Sequence, residues 1–139
     1  MATVQETLAF ETGGRGTREI TEEVARTIGK AGIETGLCHV FACHTSAGVI
    51  ITENADPTVR ADLERLLAHL VPDGWREFRH RAEGDDDMSA HARTLLTGEG
   101  VLVPITGGRL SLGTWQGIFL WEHRTGAHRR EVVVTALGE

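Results

Sequence analysis

The sequence predicts a single domain of the α+β class, in which strands and helices are mixed without regular alternation. Residues 4–10 alternate between apolar and polar side chains, which is the period of a half-buried strand. Residues 63–70 carry leucines at helical spacing, which is the period of an amphipathic helix. The chain has 139 residues, 40% of them apolar, and this is enough for one hydrophobic core.

The elements of the first third follow from these periods and from turn residues. A glycine-rich loop at residues 12–16 separates the opening strand from a short second strand. Thr21 is expected to cap the first helix, because Glu22 and Glu23 in the first turn suit the positive end of the helix dipole. Gly32 is expected to end that helix.

Two further strands are predicted at residues 37–43 and 47–52, on either side of a polar break at residues 44–46. The clearest helix of the chain follows. Asp56 is its expected N-cap and Pro57 its first helical residue.

The second helix has a stripe of four leucines that we expect to be buried, and Pro72 and Gly74 are expected to end it. The stripe consists of Leu63, Leu66, Leu67 and Leu70. Residues 75–87 show no periodicity and are predicted to cross the surface. A third, short helix is expected over residues 88–96, with Gly98 at its end.

The remainder is predicted to be β structure, because short apolar runs alternate there with turn residues. Gly107-Gly108 is expected to form a hairpin turn. The predicted strands cover residues 101–105, 110–112, 116–122 and 130–137.

The charge balance argues against a protein that binds nucleic acid. Fourteen basic and 20 acidic residues give a net charge of −6, whereas duplex binding needs a concentrated basic face. No apolar run approaches the roughly 18 residues of a membrane span, and the N-terminal residues lack the pattern of a secretory signal, so we expect a cytoplasmic location. Cys38 and Cys43 lie about 16 Å apart in one predicted strand, too far for a disulfide, so we expect reduced thiols in the core.

Three histidines are candidates for metal binding or acid–base chemistry. His44 interrupts a strand, and His91 lies on a short helix just after a run of three aspartates. With His80, and with Asp87 from the aspartate run, they are candidate ligands of a divalent ion, zinc or magnesium, and His44 and His91 are also candidate catalytic residues. Because their spacing matches no local ligand motif, the alternative that each is an ordinary surface or core histidine stays open. The alternative for the three aspartates is a solvated loop or helix caps.

A second group of residues suits the binding of an anion. Thr45 and Ser46 offer hydroxyls, and Asn54 offers an amide beside the free N–H groups of a helix terminus. The alternative is that Asp56 simply caps its helix, which would leave Asn54 as the freer residue of this turn.

A third group surrounds the entrance and the exit of a late strand. Thr114, Trp115 and Gln116 stand between two glycines, so the backbone can bend sharply and present the indole and the amide as a pocket wall. An ordinary core tryptophan is the alternative. Glu122, at the other end of the strand, is a candidate catalytic base, and Arg129 is a candidate anion ligand or a charge that protects a strand edge.

Over nearly its whole length the chain closely resembles the YjbQ family, which is described as the secondary thiamine-phosphate synthase type. The resemblance implies a two-sheet β-sandwich with flanking helices that forms a homotrimer, and a pocket in which the matching histidines gather around a divalent metal. The motifs that carry it are His44-Thr45-Ser46-Ala47, Glu53-Asn54-Ala55-Asp56-Pro57, Ala90-His91, the stretch from Gly108 to Gln116, and the Arg-Arg pair at the last strand.

The resemblance also implies a weak transferase activity on small phosphorylated metabolites. The reaction joins hydroxymethylpyrimidine diphosphate to a thiazole phosphate and releases pyrophosphate. It needs a clamp for the leaving group, usually with a divalent cation, and aromatic walls. Two alternatives stay open: another metal-dependent enzyme, such as a hydrolase with Glu122 or His91 as general base, and a non-catalytic ligand-binding protein.

Overall fold

Two antiparallel sheets and three helices make up the fold, and the computed structural model describes residues 1–139. The α+β class and the two-sheet arrangement are therefore confirmed. In chain order the elements are β1 (Ala2–Thr12), β2 (Gly16–Glu19), α1 (Thr21–Gly29), β3 (Thr35–Ala42), β4 (Ala47–Glu53), α2 (Pro57–Leu70), α3 (Asp85–Thr97), β5 (Gly100–Thr106), β6 (Arg109–Leu110), β7 (Gln116–Glu122) and β8 (His128–Gly138).

The larger sheet has the strand order β1-β8-β3-β5-β6, and the smaller one has the order β2-β7-β4. β1 and β8 pair along their full length, from Ala2 opposite Gly138 to Thr12 opposite His128. The chain ends are thus paired with each other in the larger sheet. None of the three helices is long and apolar enough to cross a membrane.

The hydrophobic core lies between the two sheets, because each strand turns every second side chain inward. Val40 and Val134 come from the larger sheet, and Val49 and Leu120 come from the smaller one, all within one buried cluster. Helix α1 adds Val24 and other apolar residues to the same cluster.

Helices α2 and α3 cover the outer face of the smaller sheet. Phe119 and Trp121 point outward from β7 and are nevertheless buried. The Trp121 indole donates a hydrogen bond to Glu64 of α2 at 2.7 Å, and Arg93 of α3 donates to the same carboxylate at 2.6 Å. Both helices are therefore fastened to this face through Glu64.

The predicted buried stripe of α2 is only partly correct. Leu67 is buried, but Leu66 is 51% exposed and Leu70 is 57% exposed. The reason is that polar contacts of Glu64 and Arg60 replace apolar contacts along this helix, with the Arg60 guanidinium over the ring of Phe119.

The predicted helix ends agree with the structure where side-chain chemistry sets them. Asp56 caps α2 by accepting a hydrogen bond from the Thr58 N–H at 2.9 Å, and Gly98 follows α3 with a positive φ. Thr21 does not cap α1. It is the first helical residue, and its hydroxyl accepts a hydrogen bond from the Ile118 N–H instead, which ties the helix to β7.

Two other boundaries differ from the prediction. Helix α1 ends at Gly29, three residues before Gly32. Helix α3 begins at Asp85, so the predicted surface segment is three residues shorter than expected. The three aspartates of that segment occupy the first turn of α3, where carboxylates are stabilised by the helix dipole.

A buried ion pair joins the two sheets. Glu122 of β7 is 2% exposed and Arg130 of β8 is 4% exposed. The guanidinium contacts both carboxylate oxygens, with Nε to Oε1 at 2.7 Å. The Thr12 hydroxyl also donates to Oε1 at 2.7 Å, and Arg130 donates to the Ser46 hydroxyl at 3.0 Å. The pair therefore binds together one end of the sandwich.

Glu122→Ala is expected to lower the free energy of unfolding by about 3–5 kcal/mol, because it leaves the Arg130 charge buried and unpaired. Urea denaturation would measure the loss. Glu11→Ala is the matched control, since Glu11 is exposed and faces Arg129 at 3.6 Å. The control should change stability by less than about 0.5 kcal/mol, and an equal loss in both variants would contradict the importance of the buried pair.

His123, next to this pair, is completely buried under the helices, and its Nδ1 has no hydrogen-bond partner. Burial and then the Arg93 charge lower the pKa of His123 to about 3. The ordinary pKa of a histidine is 6.5. As the pH falls, the imidazole of His123 is therefore protonated in the unfolded chain at a higher pH than in the folded protein.

His123 should therefore stabilise the fold above about pH 6.5, and this contribution should disappear as the pH falls towards 3. The slope contributed by one such group is at most about 1.4 kcal/mol per pH unit. Unfolding free energies between about pH 6.5 and 5 should fall less steeply in His123→Gln than in the unmodified chain. His69→Gln, an exposed control on α2, should keep the original slope. Equal slopes in all three proteins would refute this assignment.

Candidate functional site

Three predicted ligands come together at the start of α3. The His80 imidazole donates from Nε2 to Oδ2 of Asp87 at 2.6 Å, and His91 donates from Nε2 to the same oxygen at 3.1 Å. One potential ligand atom from each residue lies within 4.8 Å of the others. The structure therefore forms a His–Asp–His cluster from residues that are up to 11 positions apart.

Local structure explains how the cluster forms. Asp87 and His91 stand four residues apart on α3, so they share one face of the helix. His80 reaches them from the segment before the helix. That segment is held by a hydrogen bond from the Gly74 N–H to the Asp85 carbonyl at 2.9 Å.

Arg124 fixes the orientation of the central carboxylate. It donates from Nη1 to Oδ1 of Asp87 at 2.8 Å, from Nε to Asp86 at 3.0 Å and from Nη2 to the Glu83 carbonyl at 2.9 Å. Oδ2 of Asp87 is thereby left to the two imidazoles. No local pattern in the sequence singles out Arg124, because only the register of β7 places the loop after that strand beside α3.

The electrostatics of the cluster favour an ionised carboxylate. Burial alone would raise the pKa of Asp87, but the hydrogen bond from His80 and the Arg124 charge together bring its pKa below the ordinary value. The same hydrogen bond raises the pKa of His80. The His80 imidazole thus shares a proton with the Asp87 carboxylate. A metal ion that bound these two groups would have to displace this proton.

The donor set fits a divalent transition metal. Two imidazole nitrogens and one carboxylate oxygen are the ligands of many catalytic zinc sites, which leave a further coordination position open. Magnesium prefers oxygen ligands, so two imidazoles favour zinc or a similar ion. The residues that would hold it are His80, Asp87 and His91.

His44 lies outside this cluster, contrary to its predicted place among the metal ligands. Its Nε2 accepts a hydrogen bond from the Glu131 N–H at 2.7 Å, so that lone pair is already used. Burial lowers the pKa of His44, which favours the neutral ring with its proton on Nδ1. The structure therefore brings three of the four predicted ligands together.

His44 and His91 nevertheless face one cleft. This cleft has a volume of about 340 Å³ and is also lined by Thr45, Leu95 and Glu99. A second cleft of about 480 Å³ shares His44, Thr45 and Glu99 with the first. The two clefts therefore meet, and the His–Asp–His cluster adjoins them through His91.

Ser46 and Glu122 have structural roles at the base of this region. Ser46 is buried, and its hydroxyl accepts from Arg130. Burial would raise the pKa of Glu122, yet hydrogen bonds from Arg130 and Thr12 hold its pKa below the ordinary value. The carboxylate already accepts these bonds and one from the Arg124 N–H, so the expectation of a general base there is not supported.

The group around Trp115 lies at the opposite end of the smaller sheet. β4 and β7 are antiparallel, with Ala47 opposite Glu122 at one end and Glu53 opposite Gln116 at the other. Six residues of strand separate these ends by about 20 Å. Within one chain, the structure therefore does not bring Thr114, Trp115 and Gln116 together with the histidines.

The amides at that end shape a loop. Asn54 donates to the carbonyls of Thr114 and Gln116 at 3.3 and 3.4 Å, and the Gln116 side chain accepts from the Gly113 N–H at 2.8 Å. Trp115 is 63% exposed on this loop, so it is not a core tryptophan.

Arg129 also lies outside the clefts. It is exposed and lies 3.6 Å from Glu11 on the neighbouring strand, whereas Arg130 turns inward to Glu122. Because adjacent residues of a strand point to opposite faces, only one member of the Arg-Arg pair can face the core. Arg129 does not line either cleft.

Comparisons with known proteins agree with this fold along the whole chain. A family model described as UPF0047 protein YjbQ-like matches residues 6–139. A UPF0047 protein of Synechocystis is 50% identical over 135 residues, which cover 97% of this chain and 92% of the relative. YjbQ of Salmonella typhimurium is 43% identical over 136 residues, covering 97% and 98%.

Two solved structures show the same architecture. An uncharacterised YjbQ/UPF0047 protein from Clostridium acetobutylicum superposes with a TM-score of 0.88 at 33% identity, covering 95% of this chain and 99% of the other. A conserved hypothetical protein from Thermus thermophilus gives a TM-score of 0.82 at 40% identity, covering 93% and 97%. The resemblance inferred from the motifs is confirmed, and the chain belongs to the YjbQ-like UPF0047 family.

Proposed function

We propose that the chain is a metal-assisted enzyme that acts on small phosphorylated metabolites, with a weak activity of the thiamine-phosphate synthase type. The observation that carries the proposal is the convergence of His80, Asp87 and His91 beside a cleft. The centre would hold the metal ion, and the cleft would hold the substrate. A centre of three ligands is suited to catalysis because it leaves a coordination position for the substrate.

A bound divalent ion would supply positive charge for a diphosphate leaving group. The residues of the chain position the ligands. Arg124 holds Asp87 in place, and the imidazoles of His80 and His91 contact the same oxygen of that carboxylate. Neutral His44, on the other wall of the cleft, offers a hydrogen-bonding group to the substrate without adding charge.

The two adjoining clefts favour a reaction between two substrates. In the proposed reaction the thiazole nitrogen attacks the methylene carbon of the pyrimidine, so a C–N bond forms. The C–O bond to the diphosphate breaks, and pyrophosphate leaves with the bonding electron pair. A place for each substrate, with the shared boundary at His44 and Thr45, would bring the reacting atoms together.

A hydrolase is the second candidate function. It is favoured by the imidazole-rich ligand set with an open position, which is the pattern of zinc sites that activate water. Such an enzyme would need only the smaller cleft, since water is the second reactant. The two functions differ in their product, which is thiamine phosphate in one case and inorganic phosphate in the other.

The metal centre predicts a specific loss of zinc affinity. His80→Gln and His91→Gln should each weaken zinc binding by at least about tenfold, the loss that even a change outside the ligand shell can cause. A competition titration against a chromophoric chelator measures the affinity. His69→Gln is the matched control, because His69 lies at the end of α2 and takes no part in the cluster. Unchanged affinity in both cluster variants would refute the centre.

A variant in the cleft wall and an assay of the products separate the possible functions. His44→Ala should keep the zinc affinity but lower the rate of thiamine phosphate formation, because His44 lies in the cleft and outside the ligand cluster. Zinc-dependent phosphate release without thiamine phosphate would favour the hydrolase. Tight zinc binding without turnover of either kind would favour a non-catalytic protein.

We also infer a homotrimer, and the outer face of the larger sheet supports this assembly. This face carries an apolar patch that no helix covers, and such patches usually mark contacts between proteins. Leu102 in the patch is 59% exposed. The threefold number follows from the family resemblance. The patch consists of Leu37, Phe41, Leu102, Pro104 and Leu137.

Leu102→Glu should convert the trimer to a monomer, because it would place three charges in the contact between copies. Light scattering coupled to gel filtration gives the mass. The same substitution at Leu66, which is 51% exposed on α2, is the control and should leave the mass unchanged. A monomeric parent protein would overturn the inference.

The two cysteines are free, with Cys38 buried and Cys43 exposed on the surface rather than in the core. Burial raises the pKa of Cys38 to about 11, so this thiol is unreactive. An unpaired exposed thiol fits a reducing compartment, which supports our inference of a cytoplasmic location.

A further inference from the structure

One carboxylate stands unpaired where the two clefts meet. Glu99 lines both clefts, is exposed, and forms no ion pair or side-chain hydrogen bond within the protein. Its place is set by the backbone. Gly98 ends α3 with φ +96°, and the Glu99 carbonyl accepts the Ala42 N–H at 2.8 Å. The backbone of Glu99 is thus held at the junction between α3 and β5, and its side chain projects from there.

Neither cleft offers a free positive charge to balance Glu99. Arg130 is the only arginine or lysine that lines them, and its guanidinium is already neutralised by Glu122 in the buried ion pair. His44 is held neutral by burial, which lowers its pKa. The hydroxyl of Thr45 adds polarity but no charge. His91, which also lines the smaller cleft, is engaged by Asp87 at 3.1 Å. Glu99 is therefore the one charged group of the joined clefts that has no partner.

Apolar side chains stand on both sides of that charge. Leu95 lines the smaller cleft and is 86% exposed, and Phe41 lines the larger one. An anion would meet the Glu99 carboxylate there without a compensating cation. A flat apolar ring with a positive or amino substituent would cover the apolar walls and pair with the carboxylate.

We propose that Glu99 is a specificity-determining residue that binds a cationic or amino-bearing ring in the joined clefts. The ligand class is an aromatic or heteroaromatic amine, with the ring against Leu95 and the amino group on the carboxylate. The phosphate group of such a ligand would lie away from Glu99, towards the His–Asp–His cluster.

This inference deepens the proposed function and rests on it only for the direction in which the substrate lies. An aminopyrimidine would direct its exocyclic amine to Glu99 while its diphosphate lies near His91. The thiazole nitrogen becomes positively charged as the new C–N bond forms, so a carboxylate near the clefts would also favour that product. The preference for a cation is a property of the clefts themselves and does not need turnover.

The test compares benzylamine with benzoate, two probes of similar shape and opposite charge. Each is titrated into the full-length protein, once after chelator treatment and once with zinc, while amide NMR shifts of Thr45, Leu95 and Glu99 are followed. Benzylamine should bind at least about fivefold more tightly than benzoate in the metal-free protein, as a charge-assisted contact implies. In Glu99→Gln the difference should shrink to about twofold or less.

Glu22→Gln is the control, because Glu22 is an exposed carboxylate in the first turn of α1 and should leave the preference intact. Equal binding of the two probes, tighter binding of benzoate to the metal-free protein, or an unchanged preference in Glu99→Gln would each overturn the proposal. A preference that persists in a protein without zinc affinity or turnover would support the Glu99 site while refuting the proposed function.

Discussion

The buried ion pair between Glu122 and Arg130 is the interaction on which this end of the molecule depends. It joins a strand of each sheet, and its remaining hydrogen bonds reach β1 through Thr12 and the polar break after β3 through Ser46. Glu122 also accepts the backbone N–H of Arg124 at 3.0 Å. Through Arg124 the same pair positions Asp87, so the candidate metal centre is anchored in the core of the sandwich.

The fold was predictable to the extent that local chemistry decides it. Alternating side chains indicated β1, and Asp56 with Pro57 indicated the start of α2, because a cap acts over three residues. The errors arise where distant contacts intervene. Thr21 has the chemistry of a cap, but its hydroxyl is bonded to Ile118, 97 residues away. The half-exposed leucines of α2 likewise reflect partners that no local pattern specifies.

The candidate site was likewise predictable where local spacing decides it, and not where distant contacts do. Asp87 and His91 share a helix face at a spacing that can be read directly, whereas His80 joins them through a segment without periodicity. The register of β4 against β7 then decides which polar groups can meet. It places Glu122 at the end of the smaller sheet next to His44, and Gln116 at the opposite end. The sequence does not show which end of β7 lies beside His44. Glu99 carried no signal at all, because a lone glutamate between glycines is an ordinary turn residue.

The distribution of charge connects the metal centre with the specificity of the clefts. The two arginines that contact the ligand cluster or line the clefts are paired with carboxylates, Arg124 with Asp86 and Asp87 and Arg130 with Glu122, so neither is free to bind a phosphate. A phosphorylated substrate would therefore depend on a bound cation at His80, Asp87 and His91 for its negative end. Under the proposed function, Glu99 would select the other end of the same molecule. The acidic protein would then bind an anionic metabolite without a basic patch, because a bound metal ion would supply the positive charge that Arg124 and Arg130 do not offer.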